Sequence, residues 1–281
     1  PLSTNYILEK LNGEELSYRK LHAIAADIVS NSLTETEIAY FVSGTYIHGM
    51  TLRETAFLTR AMVETGKKLG LQNVEIVDKH SIGGTAGNRT TPIIVSICAA
   101  AGLVMPKTSS RAITSAAGTA DVIECLAKVE FSTGAIKKII KKTNACLVWG
   151  GALGLAPADD RIIQVERVLS LDPEAQLIAS ILAKKLAVNA SYVLLDIPYG
   201  EGAKVTHAEA LKLGRKFSQL AKNFGLKLKI ILTDGSQPIG NGIGPVLEAR
   251  DVIAILSGQK KKPLDLEKKS VKLSALLLEM T

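Results

Sequence analysis

A glycine-rich segment at residues 79–91 carries the residue types that bind phosphate. It reads Lys-His-Ser-Ile-Gly-Gly-Thr-Ala-Gly-Asn-Arg-Thr-Thr. Glycines let backbone N–H groups approach an anion, and a following helix adds its positive N-terminal end. Lys79 and Arg89 supply charge, and Ser81, Thr90 and Thr91 supply hydroxyl groups. No Gly-Lys-Ser/Thr ends the segment, so it is not a Walker loop; the alternative is an ordinary glycine-rich turn with a surface lysine.

A second loop, at residues 107–119, contains six hydroxyl side chains together with Lys107 and Arg111. Donors separated by small residues are suited to surround a polar ligand. Thr119 is also predicted to cap the helix that follows, a role compatible with touching an anion. Two such loops after successive strands predict an anion site held from both sides.

A third polar group lies further along the chain. Residues 150–160 are glycine- and proline-containing and are interpreted as a turn after a strand, and Asp172, Ser180 and Lys184 follow. Ser180 and Lys184 are four residues apart, which places them on one helix face. The alternative interpretation is an exposed polar stripe.

The elements that position these loops follow from periodicity and capping. Residues 1–70 are predicted to be all helical, with capping boxes at Thr34 and Thr51. Beyond them, apolar strands alternate with helices, which indicates a parallel sheet covered on both faces. The fold class is therefore α/β: a mostly parallel sheet domain flanked by helices (71–281) plus a smaller all-helical domain (1–70, with part of 151–188 packing onto it). The expected strands are 74–77, 103–105, 146–149, 191–197 and 227–232.

Composition favours a globular protein with anionic small-molecule ligands. The 281 residues are 47% hydrophobic and carry a net charge of +7. Scattered lysines and 4% aromatic residues argue against nucleic-acid binding. The three cysteines are predicted to be buried free thiols in a reducing, cytoplasmic compartment. Apolar runs are too short to span a membrane. Residue 1 is Pro, so we expect a chain shortened at its N-terminus.

Several motifs in fixed order resemble the second nucleoside phosphorylase family, which includes thymidine, pyrimidine-nucleoside and archaeal AMP phosphorylases. The motifs are Lys-His-Ser-x-Gly-Gly, Pro-x-x-Ser-x-Arg, Gly-Thr-x-Asp, Leu-Ala-Pro-Ala-Asp, Ala-Ser-Ile-Leu-x-Lys-Lys and Gln-Pro-Ile-Gly. The resemblance runs from about residue 4 to residue 280. It implies an active site between a helical and an α/β domain, and a C-terminal domain before which this chain stops.

The resemblance also implies roles for individual residues. The phosphate ligands would be Lys79, Ser81, Thr91, Ser109 and Thr119, and His80 would be the active-site histidine. Ser180 and Lys184 would hold the base. The motif sequences are most similar to those of the archaeal AMP phosphorylases, which implies that Asp172 is the proton donor. The same similarity implies further substrate contacts at Gly84, Ser110, Arg111, Ala112, Ile113, Thr114, Ser115, Thr119, Ser180 and Lys204.

The reaction implied is phosphorolysis of AMP to adenine and ribose 1,5-bisphosphate. Inorganic phosphate is then a co-substrate, and no metal or organic cofactor is required. Protonation of adenine at N7 calls for a general acid, and burial of Asp172 would raise its pKa for that purpose. Its alternative role is as a helix cap before Pro173. Lys107, Arg111 and Lys204 are interpreted as spare cations for the 5′-phosphate.

Alternatives remain open. The first is a thymidine or pyrimidine-nucleoside phosphorylase, although the position of that group's base-reading arginine falls at Val165 or Glu166. Anthranilate phosphoribosyltransferases resemble the same fold, but their first loop reads Gly-Thr-Gly-Gly-Asp. A non-catalytic nucleotide-binding module is the third. We expect small-molecule nucleotide and phosphate as partners, no nucleic acid, no membrane, and a homodimer or higher homo-oligomer formed through the helical domain.

Overall fold

The computed structural model describes residues 1–71, 73–112 and 115–281. These residues form two compact units. The helical unit comprises Pro1–Gly70 and Gly154–Asn189, and the α/β unit comprises Leu71–Leu153 and Ala190–Thr281. Each is described by itself below.

The helices and strands are numbered in chain order. The helices are α1 (Ser3–Leu11), α2 (Tyr18–Val29), α3 (Glu35–His48), α4 (Leu52–Glu64), α5 (Thr90–Ala100), α6 (Thr119–Glu124), α7 (Thr133–Thr143), α8 (Pro157–Leu169), α9 (Glu174–Ala187), α10 (His207–Asn223), α11 (Pro245–Leu256) and α12 (Leu264–Met280). The strands are β1 (Val77–Ser81), β2 (Met105–Ser109), β3 (Ala145–Trp149), β4 (Tyr192–Tyr199) and β5 (Lys227–Asp234). A short 3-10 helix covers Gly150–Leu153.

The helical unit contains α1 to α4 with α8 and α9. The predicted capping boxes are confirmed: in α3 and α4 the threonine side chain accepts from a backbone N–H while the glutamate accepts from the threonine N–H. Apolar faces then meet in one core, which includes Ile28, Phe41, Met62, Ile162 and Ala183. Because the core draws residues from both chain segments, α8 and α9 are part of the bundle itself.

The α/β unit is built on parallel strands, as the alternating pattern predicts. One sheet has the order β1-β4-β5, and β2 pairs with β3, all in parallel. A parallel bridge between Ile76 and Val104 joins the chain just before β1 to the chain just before β2. The carboxyl ends of β1 and β2 therefore lie at the same edge, where ligands bind in such sheets.

Two strands differ from the prediction in their bounds. The expected strand at 74–77 is displaced to Val77–Ser81, and the one at 103–105 to Met105–Ser109. The parallel pairing continues through polar residues, with Ser81 opposite Asp196 and Ser109 opposite Trp149. An apolar pattern cannot mark strand ends made of charged and hydroxyl side chains, so Lys79 and Ser109 belong to strands and not to loops.

Two further features concern cysteines and membranes. Cys98 and Cys146 are buried, but Cys125 is exposed at the end of the short helix α6, so the prediction of three buried thiols was wrong for that residue. Burial raises the pKa of Cys98 to about 11 and, as the largest cause, that of Cys146 to about 12. In the part of the chain that the structure describes, no helix is both long and apolar enough to cross a bilayer.

Candidate active site

Lys79 is a buried cation at the carboxyl end of β1. The residue is 1% exposed, and its Nζ donates to Thr90 Oγ1 at 2.8 Å. Burial lowers the pKa of Lys79 to about 8, although the charge of Asp196 raises it. Among the described residues, no carboxylate lies within ion-pair distance of this ammonium group. A buried charge of this kind requires compensation, which makes it a natural anion ligand.

The glycine-rich loop after β1 is held in contact with two other loops. A Cβ at Gly84 would lie 2.6 Å from the Lys204 backbone N, and one at Gly87 would lie 2.1 Å from the Ile239 carbonyl oxygen. Both glycines have positive φ, at 88° and 69°. Asn88 N donates to that same Ile239 oxygen at 2.9 Å. The loop therefore needs glycine at these two positions, and it places Gly84 directly against the exposed Lys204.

The remaining predicted residues of the first loop lie beside the carboxyl end of β1. His80 and Ser81 are the last two residues of the strand, and Ser81 Oγ accepts from Gly83 N at 3.4 Å. Thr91 lies in the first turn of α5 and is buried. Its neighbour Thr90 receives the Lys79 bond. The helix N-terminus thus stands next to the buried ammonium group, an arrangement favourable to an anion.

The loop after β2 offers an unsatisfied hydroxyl. Ser109 Oγ is buried and has no hydrogen-bond partner among the described residues. Thr119 Oγ1 accepts from Arg89 at 2.7 Å, which links the second loop to the first. Thr119 is the first residue of α6 and Gly118 is its N-cap, so the expectation that Thr119 caps this helix was wrong. Asp121 instead accepts from Gly118 N.

Two of the three predicted spare cations have carboxylate partners. Lys107 Nζ lies 3.3 Å from Asp78, and the Arg111 guanidinium lies 3.2 Å from Asp121 and 2.5 Å from Glu124. The expectation that Lys107 and Arg111 carry uncompensated charge was therefore wrong: the acidic partners lie in adjacent elements that the sequence does not place. For Lys204 the structure shows a different feature: its backbone and Cβ pack against Gly84 of the first loop.

The Asp121 carboxylate also holds the backbone of the second loop. Ala112 N donates to Asp121 Oδ2 at 2.8 Å, and the Ser110 carbonyl accepts from Ala120 N at 3.3 Å. Ser115 is exposed, and its hydroxyl donates to the Ala117 carbonyl at 3.1 Å. The predicted substrate residues Ile113 and Thr114 lie outside the described residues.

The helical unit contains the other predicted group. Ser180 and Lys184 share one face of α9, with Lys184 Nζ 3.3 Å from Ser180 Oγ. Sequence reasoning missed the partner that holds both: Asp159 Oδ2 accepts from Ser180 at 3.0 Å and lies 2.7 Å from Lys184 Nζ. Burial lowers the pKa of Lys184, but the carboxylates around it, Asp159 foremost, together raise the pKa overall. The ion pair with Asp159 therefore keeps the half-buried Lys184 in its charged form, which can donate hydrogen bonds.

Two carboxyl groups of this unit are candidate acids. Asp172 is exposed and precedes the α9 N-cap, which is Pro173, so neither the expected burial nor the capping alternative is found. Asp160 is half-buried beside Asp159. Burial is the main cause that raises the pKa of Asp160 to about 6, and Asp159 adds to it while Lys184 opposes it. A fraction of Asp160 is therefore protonated near neutrality.

The chemistry of the α/β site is that of anion binding. A buried ammonium group and a helix N-terminus lie together beside β1, and a buried hydroxyl with no hydrogen-bond partner among the described residues lies at the end of β2. Across the described ranges, no three His, Cys, Asp or Glu side chains are grouped so as to hold a metal ion.

The helical unit and the parallel α/β unit correspond to two known domains of one family. Residues 4–66 match the helical bundle domain of a glycosyl transferase family, and residues 73–264 match the α/β domain of the same family. The chain belongs to this glycosyl transferase family.

Its relatives make the resemblance more specific. The chain is 50% identical over 281 residues to the AMP phosphorylase of Natronomonas pharaonis, and 51% identical over 282 residues to that of Pyrococcus furiosus. Each alignment covers 100% of this chain and 56% of the relative, so the chain spans about half the length of these curated relatives. These matches confirm the resemblance to archaeal AMP phosphorylases.

A solved structure of another enzyme shares the fold. The anthranilate phosphoribosyltransferase of Thermus thermophilus matches with a TM-score of 0.75 at 17% identity, covering 98% of this chain and 89% of that one. At this identity the likeness shows the fold alone, and it agrees with the predicted fold class.

Proposed function

We propose that this chain is the catalytic core of an AMP phosphorylase. It would convert AMP and inorganic phosphate into adenine and ribose 1,5-bisphosphate. The observation that carries the proposal is the buried ammonium group of Lys79, which no described carboxylate contacts directly, near the carboxyl end of a strand and the start of α5. The names of relatives at about 50% identity support the same activity.

The inorganic phosphate is proposed to occupy the site formed at the ends of β1 and β2. Lys79 supplies the charge, and Ser109 and Thr119, from the two ends of the second loop, donate their hydroxyl groups. Ser81 and Thr91 complete the set. Held there, the phosphate is positioned for in-line attack on C1′, and orientation of this kind removes much of the entropic barrier. The phosphate also offsets the positive charge that develops on the ribose.

The leaving base requires a proton and a recognition site, and the helical unit supplies candidates for both. Lys184 and Ser180, both held by Asp159, are proposed to hold the base: Lys184 donates to it, and Ser180, whose own hydrogen goes to Asp159, accepts from it. Asp172 remains the proposed proton donor to N7, with His80 as the second catalytic residue. The raised pKa of Asp160 makes it the competing acid. The Asp172→Asn and Asp160→Asn variants, assayed with AMP and with adenosine, decide between the two residues. Replacement of the residue that acts as the acid should slow the reaction of both substrates.

The preference for a 5′-phosphorylated substrate is proposed to depend on Lys204. This residue lies against Gly84, which places an exposed cation beside the anion-binding loop. Arg111 contributes through the shape of the second loop, because Asp121 and Glu124 offset its charge. A site built to bind a phosphate loses those contacts when the phosphate is missing, so free nucleosides should react poorly.

The proposal is tested by measuring phosphate-dependent cleavage of AMP, CMP, UMP, adenosine and thymidine side by side. We expect AMP to react fastest and adenosine slowly. Lys204→Ala should lower the rate with AMP and leave the slow adenosine reaction nearly unchanged. Faster turnover of thymidine than of AMP would replace the proposal with a pyrimidine-nucleoside phosphorylase.

The proposed partners are small molecules and a second copy of the chain. Nucleotide and phosphate are the substrates, and the enzyme is proposed to be cytoplasmic and to need no metal or organic cofactor. Self-association is proposed to involve the helical unit, which exposes large apolar side chains on its first and third helices. These are Leu2, Leu8, Tyr40, Tyr46 and Ile47.

A further inference from the structure

Arg89 is buried at the junction of three loops of the α/β unit. The residue is 9% exposed, and its Nε donates to Glu248 Oε2 at 2.7 Å. One terminal nitrogen lies 2.6 Å from the same carboxylate and donates to the Ala117 carbonyl at 2.9 Å. The other donates to Thr119 Oγ1 at 2.7 Å. Three of the five N–H groups of the guanidinium thus donate to protein acceptors.

Glu248 fixes this guanidinium from behind. Its side chain is 2% exposed, and its second oxygen accepts from Gly244 N at 3.0 Å. The same loop is held by Asp251, which accepts from Asn241 N and Gly242 N. Because the carboxylate neutralises Arg89, this arginine does not add the uncompensated charge that the sequence suggested for it.

The hydrogen bond from Arg89 to Thr119 determines whether the threonine hydroxyl can act as a donor or as an acceptor toward a ligand. A threonine hydroxyl has one hydrogen and two lone pairs. One lone pair accepts from Arg89, and the helix is capped through Gly118 and Asp121, so no capping bond occupies the hydroxyl. Its hydrogen is therefore available for an acceptor on the side away from the guanidinium.

We propose that Arg89, braced by Glu248, is a positioning residue that holds Thr119 as a hydrogen-bond donor to inorganic phosphate. The same guanidinium holds the Ala117 carbonyl, so the second loop is fixed at two points from the first. The inference rests on the proposed phosphate site and deepens it. Arg89 acts through Thr119, and it does not itself contact the anion.

A double-mutant cycle on the full chain tests the proposal. The variants are Arg89→Met, Thr119→Val and the two combined, and binding of inorganic phosphate is followed by the fluorescence of Trp149. That residue is the single tryptophan of the chain and lies opposite Ser109 on β3. We expect each single variant to weaken phosphate binding about ten-fold, the size of one charge-assisted hydrogen bond. The double variant should lose no more than either single variant.

Matched variants separate positioning from folding. Arg89→Lys keeps the charge beside Glu248 but cannot bond three partners in one plane, so it should lose most of the phosphate affinity while its melting temperature stays near that of the parent. Lys229→Met is the control, since it removes an exposed ion pair with Glu279 elsewhere in the unit. In steady-state assays, KM for phosphate should rise, while KM for AMP stays nearly constant.

Three outcomes would overturn the proposal. Additive losses in the double variant would mean that Arg89 and Thr119 act independently. Unchanged phosphate affinity in both Arg89→Met and Arg89→Lys would remove Arg89 from the site while leaving the proposed function intact. A parent protein that binds no phosphate would contradict the proposed function itself, and the positioning role with it.

Discussion

At the scale of single residues, Lys79 is the side chain on which the proposed chemistry depends. Burial lowers its pKa from 10.5 to about 8, which means that the charged form of Lys79 destabilises the folded protein when no anion is bound. Such a site gains most from an anion, because phosphate neutralises the charge that the fold has removed from water. The residue is poised to bind phosphate below pH 8 and to lose affinity as it deprotonates above that value.

This charge should be visible in stability measurements without phosphate. The unfolded chain binds more protons between pH 8 and 10.5, so the free energy of unfolding rises with pH through that window. The shift of 10.5 to about 8 corresponds to about 3 kcal/mol. The free energy of unfolding of Lys79→Met, taken relative to that of the parent, should therefore be higher at pH 7 than at pH 10.5 by about that amount. Urea unfolding at the two pH values measures this difference.

The matched control for this experiment is Lys229→Met, which removes an exposed lysine from the same unit. Its stability relative to the parent should not depend on pH between 7 and 10. A flat pH dependence for Lys79→Met as well would show that the folded protein does not perturb the lysine.

Residue types were predictable here, but their partners were not. The glycines and hydroxyl groups of residues 79–91 point to an anion from sequence alone, because their chemistry is local. The partner of Arg111 is Glu124, thirteen positions away, and the partner of Arg89 is Glu248, at a separation of 159. Whether a cation is spare depends on such partners, so the interpretation of Lys107 and Arg111 could only be corrected by the fold.

At the scale of elements, strands and helices were recognised where the apolar pattern was continuous. The strands at Ala145–Trp149, Tyr192–Tyr199 and Lys227–Asp234 overlap the predicted ones almost fully. The displaced strands, Val77–Ser81 and Met105–Ser109, end in the polar residues that face the candidate site. Helix α11 was not predicted, because the glycine-rich segment before it offers no capping-box pattern.

The docking of α12 on the sheet should depend on a buried ion pair. Lys269 Nζ lies 3.1 Å from Asp196 Oδ2, and the Asp196 side chain is fully buried on β4. Removing one member of such a pair leaves an uncompensated charge and costs about 3–5 kcal/mol. We expect Lys269→Met to lower the free energy of unfolding by that amount in denaturant titrations.

The companion variant replaces both members. Asp196→Asn combined with Lys269→Met removes both charges of the buried pair. Thr233 donates to Asp196 Oδ1 at 2.6 Å, and the amide oxygen of asparagine can still accept this bond. This double variant should recover part of the lost stability. A cost below about 1 kcal/mol for Lys269→Met, the range of exposed pairs, would show that the ion pair does not anchor the helix.

At the scale of the whole molecule, the chain divides its chemistry between two units. The α/β unit contains the proposed anion ligands, and the helical unit contains Ser180, Lys184 and the two candidate acids. The division follows the chain, since the helical unit is made of two segments that the α/β unit separates. If separate units bind the phosphate and the base, as proposed, the residues that contact the base can vary while the phosphate ligands stay the same.

The central claim is that inorganic phosphate attacks C1′ of AMP and becomes part of the product. The direct test supplies ¹⁸O-labelled inorganic phosphate and AMP in the presence of a metal chelator, and follows both products by mass spectrometry. The account predicts equal amounts of adenine and ribose 1,5-bisphosphate, with the label in the 1-phosphate and no adenine release when phosphate is omitted. Adenine release without label in the sugar phosphate, or a reaction that stops with chelator and returns with magnesium, would contradict it.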